Sequence, residues 1–284
     1  MASIEYSLFR VKFIKPHQPS LFQENTTPHD ALIRALSERP SAPLRAGYEW
    51  HVGNLRFFPH NSSSGYFAIG KISSSTIGKF DERTGDFIEE ELEESPYTHC
   101  VFDANWGIIG IAKKIELSKN AKGIANRLEQ LLSRTGVVAR NSLTVEVLPI
   151  PDPDGFLKAL NDAYRVFRFS ATFRGPNPFD ADEHFQKPLS VYISAADGYK
   201  GSATISGDNL NRKILSEVTR STASTGNEAS ARIQKKEGQK AITINLCGDP
   251  VKRRYDEDSH RPEIVISELL AQYKRVRSNE AGSD

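Results

Sequence analysis

Tyr97-Thr98-His99-Cys100-Val101-Phe102-Asp103-Ala104-Asn105-Trp106-Gly107-Ile108-Ile109-Gly110-Ile111-Ala112 decides the fold class. Tyr97–Phe102 reads as a strand. Asp103-Ala104-Asn105 makes the turn, since Asp and Asn bond to their own backbone and tolerate tight geometry. Trp106–Ala112 returns, and its run Gly107–Ala112 is apolar on both faces, as in a strand covered on both sides. Downstream, Ala121, Ile124, Ala125, Leu128, Leu131 and Leu132 recur at helical spacing. Ser118 is the expected N-cap, and Gly136 the expected left-handed terminator. Ser142–Leu148 alternates as a strand and stops at Pro149, Pro151 and Pro153. Pro153-Asp154 opens a short helix carrying Phe156, Leu157 and Leu160. Arg165–Phe173 closes the unit, with Val166 and Arg168 on one face and Phe167, Phe169 and Ala171 on the other.

Outward from this stretch, Ile4–Ile14 alternates as an opening strand. Ile4, Tyr6, Leu8, Arg10 and Lys12 share one face, and Phe9, Val11 and Phe13 the other. Lys15–Thr27 reads as a loop. Thr27-Pro28 starts a helix striped by Ala31, Leu32, Ala35 and Leu36, with Pro40 and Pro43 ending it. Tyr48–Val52 and Leu55–Phe58 around Gly53-Asn54 predict a β-hairpin. Asn61–Gly65 reads as a turn and Tyr66–Ile72 as a strand. Lys79–Glu94 predicts a second hairpin around Thr84-Gly85, with the acidic tail Glu89, Glu90, Glu91, Glu93 and Glu94.

Beyond Phe173, Arg174-Gly175-Pro176-Asn177-Pro178 marks a boundary. Leu189–Ala195 reads as a strand. Asp208 is the expected cap of a helix to about Ser221, striped by Leu210, Ile214, Leu215 and Val218, with Ser221–Asn227 as a loop. Ala229–Lys236 and Lys240–Cys247 form a hairpin about Glu237-Gly238. The last helix, Glu263–Val276, carries Ile266, Leu269, Leu270 and Tyr273. The tail from Ser278 is expected to be disordered. The fold class is α+β: a mixed, largely antiparallel sheet with packed helices over residues 1–174, then a smaller α+β domain with a basic helix over 175–284.

Composition bounds the function. The chain has 284 residues, 38% hydrophobic and 26% charged, and a net charge of +1. No global field recruits a polyanion. Fifteen Lys and Arg against twelve Asp and Glu in residues 199–284 leave that part at +3 and the rest at −2. Cys100 and Cys247 are too few for a disulfide scaffold or a structural zinc site and read as buried core thiols. No run is long and apolar enough to span a membrane, and no signal-peptide core opens the sequence, so a cytoplasmic location is expected.

No catalytic, metal or cofactor motif stands out, and none of the seven histidines forms a paired zinc-ligand spacing. His51 and His60 flank the expected first hairpin and would meet in space. Basic residues cluster near the end of the chain. Arg232, Lys235, Lys236 and Lys240 line the late hairpin, Lys252-Arg253-Arg254 lies in the expected loop before the last helix, and Lys274, Arg275 and Arg277 finish that helix. Side by side, these ten groups would grip phosphates without reading sequence. As single features, helix-end cations complement the dipole and hairpin-tip cations favour solubility. Asp256, Glu257 and Asp258 offset the Lys252–Arg254 run. Two other classes remain open: a metal-dependent nuclease or toxin enzyme built on Asp180, Asp182, Glu183 and the histidines, and a protein-interaction module acting through Glu89–Glu94.

The order Cys100-Val101-Phe102, Gly107–Ala112, the helix with Leu131-Leu132, Leu143-Thr144-Val145-Glu146-Val147-Leu148-Pro149 and the strand Arg165–Phe173 resembles the RexA-type phage-exclusion proteins. The KwaB-like phage-defence proteins look similar in layout. The resemblance implies two α+β domains, a homodimer, and sequence-independent binding of double-stranded DNA. It also implies work beside a small membrane effector protein, which makes the chain a DNA-binding sensor and not an enzyme.

Overall fold

The computed structural model describes residues 3–15, 26–174, 186–196, 198, 200–246, 250–256 and 261–277. In chain order the elements are β1 (Ser3–Ile14), α1 (Pro28–Ser37), β2 (Ser41–Arg45), β3 (Tyr48–Phe58), β4 (Asn61–Asp81), β5 (Asp86–Glu94), β6 (Tyr97–Asp103), β7 (Ile108–Ala112), α2 (Ala121–Leu132), α3 (Gly136–Arg140) and β8 (Thr144–Pro149). Then follow α4 (Asp154–Asn161), β9 (Arg165–Arg174), α5 (Gln186–Ala195), β10 (Lys200–Ser206), α6 (Arg212–Ser224), β11 (Ala229–Gln234), β12 (Ile242–Leu246), β13 (Lys252–Asp256) and α7 (Pro262–Arg277). The fold is α+β, and every pair of neighbouring strands is antiparallel.

The first sheet runs β13-β1-β7-β6-β4-β3-β2. β1 organises it because its alternation is apolar on both sides. Phe9, Val11 and Phe13 enter the core under α1, α2 and α3, while Tyr6 and Leu8 enter the core on the opposite face. One edge of β1 serves two partners in succession: β13 along Ser3–Ser7 and β8 along Phe9–Ile14. The second sheet runs β10-β9-β11-β12. Its inner face, with Phe169, Ala171, Ala231 and Ile233, packs with α4, α6 and α7 against the first sheet. The result is four layers, α1–α3, sheet, helices and sheet, with the outer face of the second sheet left uncovered by these cores. The expected division at 174 is crossed in both directions: β9 from 1–174 is central to the second sheet, and β13 from 175–284 extends the first. Residues 175–178 of the expected boundary lie outside the described residues.

Several local expectations hold. Thr27 caps α1 by accepting from Asp30 N at 3.1 Å. Asp103 Oδ1 accepts from Trp106 N and closes the β6–β7 turn. β4 and β5 form the second hairpin, with Gly85 at positive φ in its turn. Cys100 is wholly buried, and burial pushes its thiol well above its ordinary value. In a Cys247→Ser background, Cys100 is therefore expected to resist a thiol reagent until the chain unfolds, read by comparing labelling in buffer and in denaturant. Cys247 itself lies outside the described residues, as does the tail from Ser278.

Other expectations are corrected. Gly53-Asn54 is not a hairpin turn. β3 runs straight through it, with a bulge that places Asn54 at positive φ, because both halves pair with β4. The chain reverses at Pro59-His60, and Asn61–Gly65 already belongs to β4. Asn120, not Ser118, caps α2 by accepting from Gly123 N at 2.9 Å. Gly136 does not terminate α2 but opens α3, where its N–H and that of Val137 donate to the Glu38 carboxylate. Leu189–Ala195 is helical, within α5, because Ile193 is drawn into the core with Phe173 over Gly201. Asn211, not Asp208, caps α6, which continues to Ser224 through the expected loop. Lys252-Arg253-Arg254 is strand β13, not loop, because it pairs with β1.

The aromatic seam where β13 meets β1 gives a pH prediction. The rings of Tyr6 and Tyr255 stand edge to face at 5.8 Å. Burial raises both phenols above their ordinary value of about 10. Cys100 and Tyr255 add to the shift at Tyr6; Glu268 adds at Tyr255, where Arg253 opposes it. The unfolded chain then ionises first. Stability contributed by the neutral phenols is present below about pH 10 and is lost as pH rises beyond it. Tyr6→Phe and Tyr255→Phe are expected to flatten that alkaline loss, read as the urea midpoint against pH.

Candidate nucleic-acid interface

The ten cations singled out in the sequence do not form one patch. The structure divides them among three places. On β13, Arg254 Nε binds Glu5 Oε2 at 3.0 Å and Lys252 Nζ stands 4.0 Å from Glu5 Oε1. Arg253 alternates to the side of β13 occupied by Tyr255. At the end of α7, Lys274 and Arg277 stack over the Trp106 ring, at 5.9 and 5.2 Å from its centroid. Arg275 is paired with Asp154 at the start of α4, and its carbonyl accepts from Arg220. β1 measures the separation of these two places. Glu5 marks the β13 end, and Arg10, whose Nη1 donates to Tyr273 Oη at 2.8 Å, marks the α7 end. Five residues of extended strand span about 16 Å. The third place is the β11–β12 hairpin, with Arg232 in the strand and Lys235, Lys236 and Lys240 exposed about the turn.

Arg232 leads to a feature that the sequence alone does not display. In the register of the second sheet it lies opposite Arg168 on β9 and Thr243 on β12. Arg168 in turn lies opposite Ser206 on β10, and its Nε donates to Ser206 Oγ at 3.3 Å. One step along, Ser230 and Thr204 flank Ser170, and Thr204 Oγ1 donates to Ser170 Oγ at 2.9 Å. The next rank is Ser202 opposite Thr172. Lys200 begins the same side of β10. Successive strand residues point to opposite faces. The outer face therefore carries Arg165, Arg168, Arg232, Lys200, Gln234, Asn245 and seven hydroxyl side chains. Among the described residues no strand position on it holds a carboxylate. Glu228, just before β11, sits at the rim, where its backbone N–H donates to Thr172 Oγ1. Arg168, Ser170, Thr204, Ser230, Arg232, Ala241 and Thr243 line a shallow basin of about 500 Å³ on this face.

A β-bulge makes the face possible. Strict alternation puts Val166 beside Arg168. The register instead steps from Arg168–Arg232 to Val166–Ile233 and skips Phe167. Val166 is thereby turned into the core, and Arg168 remains exposed. Hydroxyls and guanidiniums are the side chains that bond phosphate oxygens.

The metal reading gains no support from geometry. His51 and His60 lie nine residues apart along one strand and the turn after it, about 30 Å in extended chain. His51 faces Glu49, at 3.8 Å. Among the described residues no group of three or more His, Cys, Asp and Glu is placed to hold a metal ion. Asp180, Asp182, Glu183 and His184 lie outside the described residues. Among the described residues no helix is long and apolar enough to cross a membrane.

The chain matches no protein-family model and no curated protein.

Proposed function

We propose that this chain binds double-stranded DNA through its phosphates, without sequence preference, and serves as the sensor of a phage-defence system that works through a partner effector. The observation that supports the binding half is the outer face of the second sheet, where Arg168 and Arg232 stand side by side among hydroxyl groups and no described strand position holds a carboxylate. The resemblance to phage-exclusion proteins supports the defence half, including the homodimer and the small membrane effector. Of the ten cations named from sequence, Arg232, Lys235, Lys236 and Lys240 adjoin this face. Lys252 and Arg254, on Glu5, and Arg275, on Asp154, have carboxylate partners, which lowers what they offer a phosphate. Lys274 and Arg277, above Trp106, supply a second, separate source of positive charge, and Arg253 on β13 stands apart from both.

Net charge fits this reading once its distribution is resolved. Eight carboxylates against Lys79 and Arg83 leave residues 79–94 at −6, so the rest of the chain stands at +7. A mobility-shift titration in low salt tests the binding. The full chain is expected to retard duplexes of unrelated sequence equally. Absence of any retarded species for duplex or single strand overturns the proposal.

A further inference from the structure

β4 has two halves with different surroundings. Ser64–Gly70 pair with β6, and Asn61–Ile72 face β3 on the other side. From Ser73 to Asp81 the strand pairs with β5 alone. Nine residues of two-stranded ribbon, about 30 Å long, thus project from the first sheet. An isolated two-stranded ribbon is marginally stable in water. This one ends in an uncovered aromatic pair, Phe80 and Phe87, with ring centroids 5.1 Å apart and Phe87 84% exposed. Ile77 and Ile88 are also exposed. The ribbon has the composition of a docking element, and its charge selects the partner. At −6 it is repelled by nucleic acid and by a second ribbon of its own kind, and attracted to the +7 body. Its register runs from Ser73–Glu94 to Asp81–Asp86 without a bulge, so it lacks the irregularity that would bend it back onto its own chain.

We propose that the β4–β5 ribbon is an intermolecular clasp that lies across the outer face of the second sheet of another copy of this chain. Glu89, Glu93 and Glu94 are set against Arg168, Arg232 and the lysines about the β11–β12 turn, and the exchange is reciprocal about a two-fold axis. The clasp rests on the homodimer reading and covers the face assigned to DNA on both copies, so clasp and duplex compete and the clasped dimer is the DNA-free state; it is measured with no nucleic acid present.

Sedimentation velocity on the full chain tests it. The wild type is expected to form a concentration-dependent dimer that dissociates as salt rises. A ribbon variant, Phe87→Ser with Glu89→Lys, Glu93→Lys and Glu94→Lys, and a face variant, Arg168→Glu with Arg232→Glu, are each expected to be monomeric. All these positions are exposed, so circular dichroism should report an unchanged fold. An equimolar mixture of the two variants is expected to dimerise again, because the lysine-bearing ribbon now meets a glutamate-bearing face. A wild type that stays monomeric at low salt, a dimer that survives either variant, or two monomeric variants that fail to associate when mixed would overturn the proposal.

Discussion

The double variant Arg168→Glu, Arg232→Glu is expected to lose duplex binding at low salt by ~10-fold or more, and to lower the salt slope of the remaining binding by about two. The two guanidiniums face each other across the β9–β11 ladder on the outer side of the sheet. A phosphate contacted by either releases counterions, and each contact removed takes about one from the slope of log affinity against log salt. The loss should be the same for any duplex sequence, since no base edge is read. Lys274→Gln with Arg277→Gln is the companion measurement. Those groups sit on Trp106, away from this sheet face, and should cost less. Fluorescence anisotropy with a labelled duplex reads both. Stability should change little, because Arg168 and Arg232 are exposed.

The largest stability effect is expected at the seat of α7. Leu269 is fully buried, and a side chain at Gly110 of β7 would stand 2.3 Å from its Cδ1 and 3.0 Å from Val101 Cγ2. Gly110 is therefore a socket cut in the first sheet for Leu269. Leu269→Ala removes the knob and should cost about 2–5 kcal/mol, from lost burial and the cavity left behind. Gly110→Ala fills the socket from the other side and should cost about 1–3 kcal/mol by overpacking. The two substitutions touch, so the double variant should cost less than the sum, since the new methyl occupies part of the vacated space. Urea unfolding of the four proteins closes the cycle, and strict additivity would show that the two groups do not share the space.

Much of the architecture was legible where one force dominates. β1 is recognisable because apolar and polar residues alternate along it, with the phase changing at Leu8-Phe9, and α2 because six apolar residues repeat at helical spacing. α5 was misread as a strand because Leu189–Ala195 is rich in β-branched and aromatic residues. What decides it is the docking of Ile193 near Phe173, a contact between residues far apart in the chain. Asn120 and Ser118 are equally good caps on paper, and only helix register separates them. Gly53-Asn54 carries the preferred hairpin dipeptide yet sits in a bulge, since the pairing of both halves with β4 outweighs the local turn preference.

The candidate site was less legible, for a topological reason. Charge clusters such as Lys252–Arg254 are conspicuous in sequence, but β13 lays two of them against Glu5. The outer face is assembled from every second residue of four strands spread over residues 165–246, one hydroxyl at a time. What alternation does not anticipate is the bulge at Phe167, which turns Val166 away from the face that Arg168 shares with Ser170 and Thr172. The signal present in the sequence is the run of Ser and Thr at alternate positions in β9 and β10. It acquires meaning only when their registers are known.

The salt dependence of duplex affinity tests the account most directly. The full chain would be titrated with two duplexes of unrelated sequence over a series of salt concentrations. Equal affinity for both duplexes, with log affinity falling linearly against log salt, is the predicted result. Affinity that is indifferent to salt, or confined to one of the two sequences, would contradict a surface made of guanidiniums and hydroxyls that grips phosphate alone.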